Sequence, residues 1–296
     1  VITNVPYLGR RNQGEAMANF SERYASDSRH DLATVFLQRS LDFCSSGGNV
    51  ALVEPQAWLF LRAYEGFRER MLKTTSWNWV ARLGTGAFET IGGEVVNVAL
   101  ICMCRRAFSP ENRICGWDAS SVSTPGDKAS AIQCVETNVT LQIEQLKNPD
   151  HRFILTESSK LPLLGKYAFA VQGLMPADRS RFVRAFSENP AAPQGWKFLQ
   201  GSIKYTAPVA GRHQLIDYVM FEKQVDSIGG RLQGMKAWDH HGVGIALMSR
   251  LPVTVYTGEP FDGNVHALIP IHTQNLPAIW EFCSSSSFVH EIRKVD

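Results

Sequence analysis

Apolar and polar residues follow strand-like and helix-like patterns in turn along the first hundred positions. Four apolar runs rich in β-branched residues predict buried strands: VITNV, NVALVEP, WNWVARLG and VVNVALICM. Helical spacing of apolar residues follows Asp31, a candidate N-cap, and recurs over Trp58–Leu72. Residues 10–29 are polar and follow neither pattern. The order strand, helix, strand, helix, strand, strand predicts part of a doubly wound α/β sheet with a hairpin at its edge.

The pattern changes after residue 104. Residues 105–130 show little periodicity and predict a connector, and Ala129–Leu146 predicts one amphipathic helix. From about Leu161, glycine and proline recur between short apolar runs, and the tail predicts one or two short helices. The domain boundaries that we predict are 1–104, 105–159 and 160–296. The short strands predicted in the last region are YAFAV, GWKFL, VGIALM, PVTVYTG and VHALIPI.

Composition narrows the class of protein. The chain has 296 residues, of which 44% are hydrophobic, so it can bury a core, and its net charge of +2 does not by itself indicate nucleic acid. No apolar run is long enough to span a membrane, and no signal peptide pattern is present. Six cysteines without a CxxC pair predict reduced thiols in a cytoplasmic protein. We predict no metal site, because the adjacent His240 and His241 would point apart in an extended chain.

The opening strand ends in an unusual way. Asn4, Val5, Pro6 and Tyr7 place a side-chain amide, a backbone carbonyl outside the strand ladder and an aromatic ring at one strand end. The Asn4 amide oxygen and the Val5 carbonyl can each accept an N–H from one amino group, and Tyr7 can stack on a planar ring. This arrangement suits a nitrogenous base whose exocyclic amine reacts. A plain strand-to-turn ending is the alternative for this short motif alone.

The surrounding segments resemble the N6-adenine DNA methyltransferases, and more narrowly the Eco57I and BREX phage-defence type. The resemblance rests on NVPYLG, DLATVFLQRSL, GGNVALVEPQAWLF and RLGTGAFETIGGEVVNVAL in this order. It covers residues 1 to about 104, and more loosely most of the chain. The family motif is usually NPPY, and Val5 replaces its first proline. The resemblance implies the carboxyl-terminal part of a Rossmann-like methyltransferase sheet, followed by a mixed, strand-rich target-recognition domain.

The same resemblance implies the reaction and the roles of residues. A methyl group would pass from S-adenosylmethionine to the N6 amine of an adenine flipped out of a specific DNA sequence, in a restriction-modification or phage-defence system. Asn4, the Val5 carbonyl and Pro6 would form the amine site, with Tyr7 stacked on the base. Phe88 would be a second aromatic, although packing into the core is an alternative. Asp31 and Phe36 would line the cofactor wall, although helix packing is the alternative for both.

The cofactor-binding motifs of this family precede NPPY. In that order they would lie upstream of Val1, so unless the order is permuted we predict a missing N-terminal segment or a partner subunit, and the activity of this chain alone is left open. LGTGAFE (Leu83–Glu89) looks like a cofactor glycine loop after a strand. The strand that follows ends with Arg105 and Arg106 where a ribose-binding acid would be expected, so we favour a base-stacking role for this loop.

Basic residues interleave with aromatic residues in the last region, which suits contact with double-stranded DNA. A solvated basic loop is the alternative. For the whole chain, the rival hypotheses are a non-catalytic DNA-binding module derived from a methyltransferase, and a methyltransferase that acts on RNA or protein. The predicted DNA-binding residues are Arg179, Arg181, Arg184, Lys197, Lys204 and Arg212.

Overall fold

A mixed six-stranded sheet organises the first half of the chain. The computed structural model describes residues 1–89, 96–134, 136–155, 162–188, 191–247 and 250–293, and it divides into two units, Val1–Ser158 and Ser159–Arg293. The strands of the first unit are β1 Ile2–Asn4, β2 Asn49–Pro55, β3 Ser76–Gly84, β4 Val98–Cys104, β5 Arg113–Asp118 and β6 Asn138–Leu141.

The strand directions bring several strand ends to one edge. The order is β1-β2-β4-β3-β5-β6, in which β1 pairs parallel with β2 and β3 pairs parallel with β5. β4 is antiparallel to both β2 and β3. Consequently β1, β2, β3 and β5 run in the same direction, and their carboxyl ends meet at the same sheet edge. Ligand sites of α/β sheets commonly lie outside such an edge.

Helices pack against this sheet through a core rich in aromatic residues. Trp58, Phe67, Trp77 and Phe153 are almost completely buried in one apolar cluster. Asp31 caps α2 by accepting a hydrogen bond of 2.9 Å from the Ala33 amide. The helices of this unit are α1 Glu15–Tyr24, α2 Leu32–Phe43, α3 Glu65–Thr74, α4 Pro125–Cys134 and α5 Gln142–Gln145.

Three local predictions in the first hundred residues need correction. The opening strand is not buried: β1 pairs on one side within the described residues, and Ile2 is 89% exposed. Residues 10–29 are not irregular, because they contain α1. The helix predicted from Trp58 begins as short 3-10 turns and becomes α-helical only at Glu65.

The prediction of a bare connector over residues 105–130 and of one helix over Ala129–Leu146 is also wrong. β5 extends the sheet beyond β3, so the β3–β4 hairpin is internal rather than at the edge. The helix ends at Cys134 because the β-branched Val139 and Thr140 pair with β5 instead. Gln142 then buries its amide, whose nitrogen donates to two backbone carbonyls while its oxygen accepts from the Trp77 amide at 2.8 Å.

The second unit contains two small antiparallel sheets, of order β8-β10-β9 and β12-β11-β13-β7. The five short strands predicted here and the two terminal helices are confirmed. The strands are β7 Ala168–Gln172, β8 Val183–Ala185, β9 Trp196–Leu199, β10 Gln214–Asp217, β11 Gly242–Ala246, β12 Val253–Tyr256 and β13 Val265–Pro270. The helices are α6 Arg179–Phe182, α7 Tyr218–Gln224, α8 Leu276–Ser284 and α9 Ser286–Arg293.

Two further observations concern the whole chain. All six cysteines are free of disulfide bonds. Among the described residues, no helix combines the length and apolar character that a membrane span requires.

Candidate active site and nucleic-acid interface

The NVPY segment lies at the carboxyl edge of the first sheet. Asn4 is the last residue of β1, is paired with Val53 of β2, and is exposed. Val5 is only 6% exposed, and its carbonyl accepts no hydrogen bond from the residues that the structure describes. Pro6 is exposed and Tyr7 is half-buried against the core. Two hydrogen-bond acceptors and an aromatic ring therefore follow one another at this strand end.

Hydrogen bonds from the start of α2 fix the chain just after Tyr7. The amide of Leu8 donates to Oδ1 of Asp31 at 3.2 Å, and the Leu8 carbonyl accepts from Leu32 at 3.0 Å and from the Gln13 side chain at 2.9 Å. Asp31 thus joins the NVPY segment to the helix that it caps. Helix packing was the alternative role of Asp31 in the sequence analysis, and these hydrogen bonds provide it. They use Oδ1 of Asp31 and leave Oδ2 without a hydrogen bond from the described residues. Phe36 lies further along α2 with 38% of its surface exposed.

A buried carboxyl group lies near Tyr7. Glu54, in β2, is completely buried, and neither of its carboxyl oxygens makes a hydrogen bond of normal geometry with the described residues. Burial raises the pKa of Glu54 well above its ordinary value. The neighbouring Trp58 indole N–H opposes this rise in part, and the nearby charge of Asp31 adds a smaller increase. The Tyr7 hydroxyl is likewise buried without a partner. Burial raises the pKa of Tyr7 to about 12, with smaller contributions from Glu54 and Asp31.

Sequence analysis did not single out Glu54. The available signal was one acidic residue inside the apolar run NVALVEP, at a position whose neighbours on the same face are buried. A carboxylic acid in such a place is protonated near neutral pH unless a cation pairs with it. The groups near Tyr7 therefore include one carboxyl group whose neutral form is favoured by burial, in addition to the Asp31 side chain.

Phe88 follows β3, whose carboxyl end lies at the same sheet edge as that of β1. It is half-buried, and the rest of its loop, residues 90–95, lies outside the described residues. The loop backs onto residues 119–123: a Cβ on Gly86, whose φ is +70°, would lie 2.2 Å from the Ser123 carbonyl oxygen. Lys128 of α4 is buried and donates to the carbonyls of Leu83, Ala119 and Val122. This lysine ties the end of β3 to the segment behind the loop.

The predicted DNA-binding residues of the second unit have two kinds of partner. Arg179 forms an ion pair with the buried Asp262, and Arg212 pairs with Glu259 at 2.8 Å. Within the described residues, Arg181 and Arg184 have no carboxylate partner: Arg184 donates to backbone carbonyls. Lys204 is exposed in the loop between β9 and β10.

Lys197 is also exposed, and it contacts two aromatic rings. Its ammonium lies 4.4 Å from the Tyr218 ring centroid and 5.0 Å from that of Trp238. No cluster of His, Cys, Asp or Glu able to hold a metal ion occurs in the described part of the chain.

The first unit is the part of the chain that matches a known protein family in sequence. Residues 1–88 match the sequence model of the Eco57I restriction-modification methylase family. The resemblance inferred from the NVPY segment is therefore confirmed for this part of the chain. The Eco57I-type segment contains Asn4 to Tyr7, Asp31, Phe36, Glu54 and Phe88.

Two curated relatives each match this chain over a segment only slightly longer than the one matched by the family model. The adenine-specific methyltransferase PglX of Lacticaseibacillus casei (strain Zhang) is 39% identical over 97 residues, which is 32% of this chain and 8% of PglX. The adenine-specific methyltransferase BrxX of Escherichia coli O9:H4 (strain HS) is 34% identical over 96 residues, again 32% of this chain and 8% of BrxX. The match thus spans a small part of either relative.

Solved structures share the fold over more of the chain. The Type IIL restriction-modification enzyme MmeI, in complex with DNA, aligns with a TM-score of 0.59 at 15% identity, covering 99% of this chain and 43% of MmeI. The ATP-dependent Type ISP restriction-modification enzyme LlaBIII, bound to DNA, aligns with a TM-score of 0.55 at 11% identity, covering 91% of this chain and 23% of LlaBIII. At these identities the likeness concerns the fold.

Proposed function

We propose that this chain is part of a DNA methyltransferase that modifies the N6 amine of adenine in a specific sequence, within a restriction-modification or phage-defence system. The observation that carries the proposal is the geometry of NVPY: two hydrogen-bond acceptors and a ring at the carboxyl edge of the sheet, inside the Eco57I-type segment. Double-stranded DNA is the proposed partner. The fold shared with DNA-bound restriction-modification enzymes supports this choice.

Asn4, Val5 and Tyr7 would act together on the target base. The Asn4 amide oxygen and the Val5 carbonyl would accept the two N–H groups of the adenine amine, which would draw its nitrogen toward tetrahedral geometry and free the lone pair for direct attack. Pro6 would hold the backbone between them. Tyr7 would stack on the base and offset part of the cost of extruding it, about a few kcal/mol. No covalent bond between enzyme and base is needed.

S-adenosylmethionine would supply the methyl group. Asp31 has one carboxyl oxygen available to contact this cofactor. Oδ1 accepts hydrogen bonds from the Leu8 and Ala33 amides, while Oδ2 accepts none from the described residues. Phe36 would offer an exposed apolar surface on the same helix. The remaining contacts would come from an N-terminal segment or a partner subunit, as the resemblance implies.

The test is the substitution Asn4→Ala. We expect it to abolish transfer of labelled methyl groups from S-adenosylmethionine to mixed-sequence DNA, measured as N6-methyladenine, in a preparation of the full protein. DNA affinity should stay nearly unchanged, because Asn4 lies at a strand end rather than in the core. The control Asn19→Ala alters an exposed asparagine of α1 and should retain activity. Turnover by Asn4→Ala would contradict the proposal.

Calorimetry of S-adenosylmethionine binding to the 296-residue chain distinguishes two further hypotheses. Cofactor binding with methyl transfer would mean that the printed residues suffice for a cofactor site. DNA affinity without cofactor binding, even in the full protein, would instead favour the non-catalytic DNA-binding module.

A further inference from the structure

The small sheet β8-β10-β9 packs one face against the apolar core, and on its other face exposed side chains of the two flanking strands surround Leu215, which is itself buried. Ile216 at its centre is paired with Val183 and Lys197, and Val183 and Ile216 belong to the apolar core of this part of the unit. Leu215, the next residue along β10, is paired with Arg184 on one side and Phe198 on the other. Since neighbouring residues of a strand point to opposite faces, Arg184, Leu215 and Phe198 form a row on the outer face.

The outer face carries a pair of exposed phenylalanines. The ring of Phe198 lies 5.6 Å from that of Phe186, centroid to centroid, with an interplanar angle of 31°. Phe198 is 45% exposed and Phe186 is 38% exposed, whereas Leu215 in the same row is completely buried. The amide of Phe186 donates to the His213 carbonyl at 2.7 Å, which fixes the backbone that presents this ring. We call Phe186 and Phe198 the aromatic pair.

Arg184 brings positive charge to the row that contains Phe198, because both are paired with Leu215. Arg181 and Arg184 also line an open depression of about 970 Å³, together with Trp196 and the carboxyl groups of Glu188 and Asp217. The guanidinium of Arg184 donates to the Val183 carbonyl at 2.9 Å, and neither arginine has a carboxylate partner within the described residues. Arg179, which lines the same depression, is by contrast paired with Asp262.

We propose that this face binds a nucleotide whose base has left the double helix, with the base stacked on the aromatic pair and its phosphate held by Arg184 and Arg181. The inference rests on the proposed function, because it assumes that the second unit contacts DNA. It assigns a second base-binding surface, separate from Asn4 and Tyr7. Its chemistry is sequence-tolerant, because every base has a π-face.

The combination of rings and cations favours a nucleotide over an apolar protein segment. Two rings of moderate exposure offer a small area for a protein partner, and such a partner would leave the adjacent guanidinium groups without anions. A nucleotide presents a flat ring and a phosphate together, and arginine suits phosphate because its planar fork donates two parallel hydrogen bonds. One nucleotide would therefore contact both the aromatic pair and the guanidinium groups.

The experiment compares single strands with and without bases, using the chain as printed. One probe is oligothymidylate of about 12 nucleotides, within the usual site size of stacking surfaces, and the other is an abasic strand of the same length. We expect Phe198→Leu and Phe186→Leu each to weaken oligothymidylate binding about tenfold and to leave abasic binding unchanged. Phe198→Tyr keeps a stacking ring and should bind like the wild type. The control is Phe169→Leu, which alters a 41% exposed phenylalanine of β7 in the other sheet.

The outcomes separate this inference from the proposed function. If Arg184→Gln weakens binding of every strand while both leucine variants bind like the wild type, the DNA interface stands and the stacking surface is wrong. Equal losses on the two probes would also overturn stacking. If the wild type binds no DNA, the proposed DNA interface fails and this inference fails with it. Unchanged circular dichroism of Phe198→Leu and Phe186→Leu excludes loss of folding as the cause of a loss of binding.

Discussion

Glu54 carries a carboxyl group where water cannot reach it. Because burial raises its pKa, the folded protein holds a proton on Glu54 that the unfolded chain releases above about pH 4.5. The folded state therefore binds more protons than the unfolded state over the window between these two pKa values. By linkage, the free energy of unfolding falls as pH rises through that window.

Replacing Glu54 by glutamine should remove this pH dependence. We expect Glu54→Gln to be more stable than the wild type at pH 8, with a difference that grows by about 1.4 kcal/mol for each pH unit inside the window. Urea unfolding between pH 5 and pH 8 measures it. The control is Glu15→Gln, an exposed site on α1. Parallel curves for Glu54→Gln and the wild type would mean that Glu54 is ionised in the folded protein.

Tyr7 allows its ring and its hydroxyl to be tested separately. The hydroxyl is buried without a partner, so Tyr7→Phe should change the free energy of unfolding by less than about 1 kcal/mol and keep most methyl transfer. Tyr7→Ala removes the ring and should lower methyl transfer at least about tenfold, as expected for a lost stacking contact. Loss of activity in Tyr7→Phe would assign the chemistry to the hydroxyl instead.

At the scale of elements, Lys128 joins α4 to the end of β3. Lys128→Met would leave the carbonyls of Leu83, Ala119 and Val122 without this donor, so we expect a loss of about 3 kcal/mol in unfolding free energy. Methyl transfer should fall as well, because Phe88 follows the strand that Lys128 holds.

The matched control is Lys147→Met. Lys147 is 67% exposed and pairs with Glu144 on the surface, so its loss should cost within about 0.5 kcal/mol. A Lys128→Met protein as stable as this control would contradict the role of Lys128 as a tie between elements.

The elements that the sequence predicted well were those with a strong local signal. α2 has an N-cap and a regular apolar face, and β2, β3, β7, β9, β11, β12 and β13 lie in short apolar runs bounded by turn residues. β8 and β10 were not predicted, because VRA and QLID are short and partly polar. β5 and β6 were missed because the pairing of β5 with β3 and of β6 with β5 is non-local, and tertiary contacts override propensity there. At the site, NVPY was visible as a motif, whereas the burial of Glu54 depends on the strand pairing and packing around it.

At the scale of the whole molecule, the basic residues divide into those that would meet DNA and those that hold the fold. We expect Arg181→Gln and Arg184→Gln each to weaken binding to all duplex sequences and to reduce the salt slope of binding by about one. Titrations at several salt concentrations by fluorescence anisotropy measure this slope. An unchanged salt slope for both variants would mean that neither arginine contacts a phosphate.

Arg179→Gln should act differently because its partner is buried. Asp262 would lose its ion-pair partner at a site where it is only 4% exposed, so we expect a loss of about 3 kcal/mol in unfolding free energy. The measurement is urea unfolding of the same preparations used for DNA binding. If Arg179→Gln is as stable as the wild type and loses salt slope, then Arg179 belongs with the DNA contacts.

The indoles of Trp58 and Trp77 are buried 5.5 Å apart, centroid to centroid, with an interplanar angle of 60°. Indoles held in fixed packing contribute to near-ultraviolet circular dichroism, and this contribution is lost when specific tertiary packing is lost. Both residues belong to the first unit, next to the strands that carry the candidate active site. The folding of the unit that carries the candidate active site can therefore be followed by its own indole signal, without any added label.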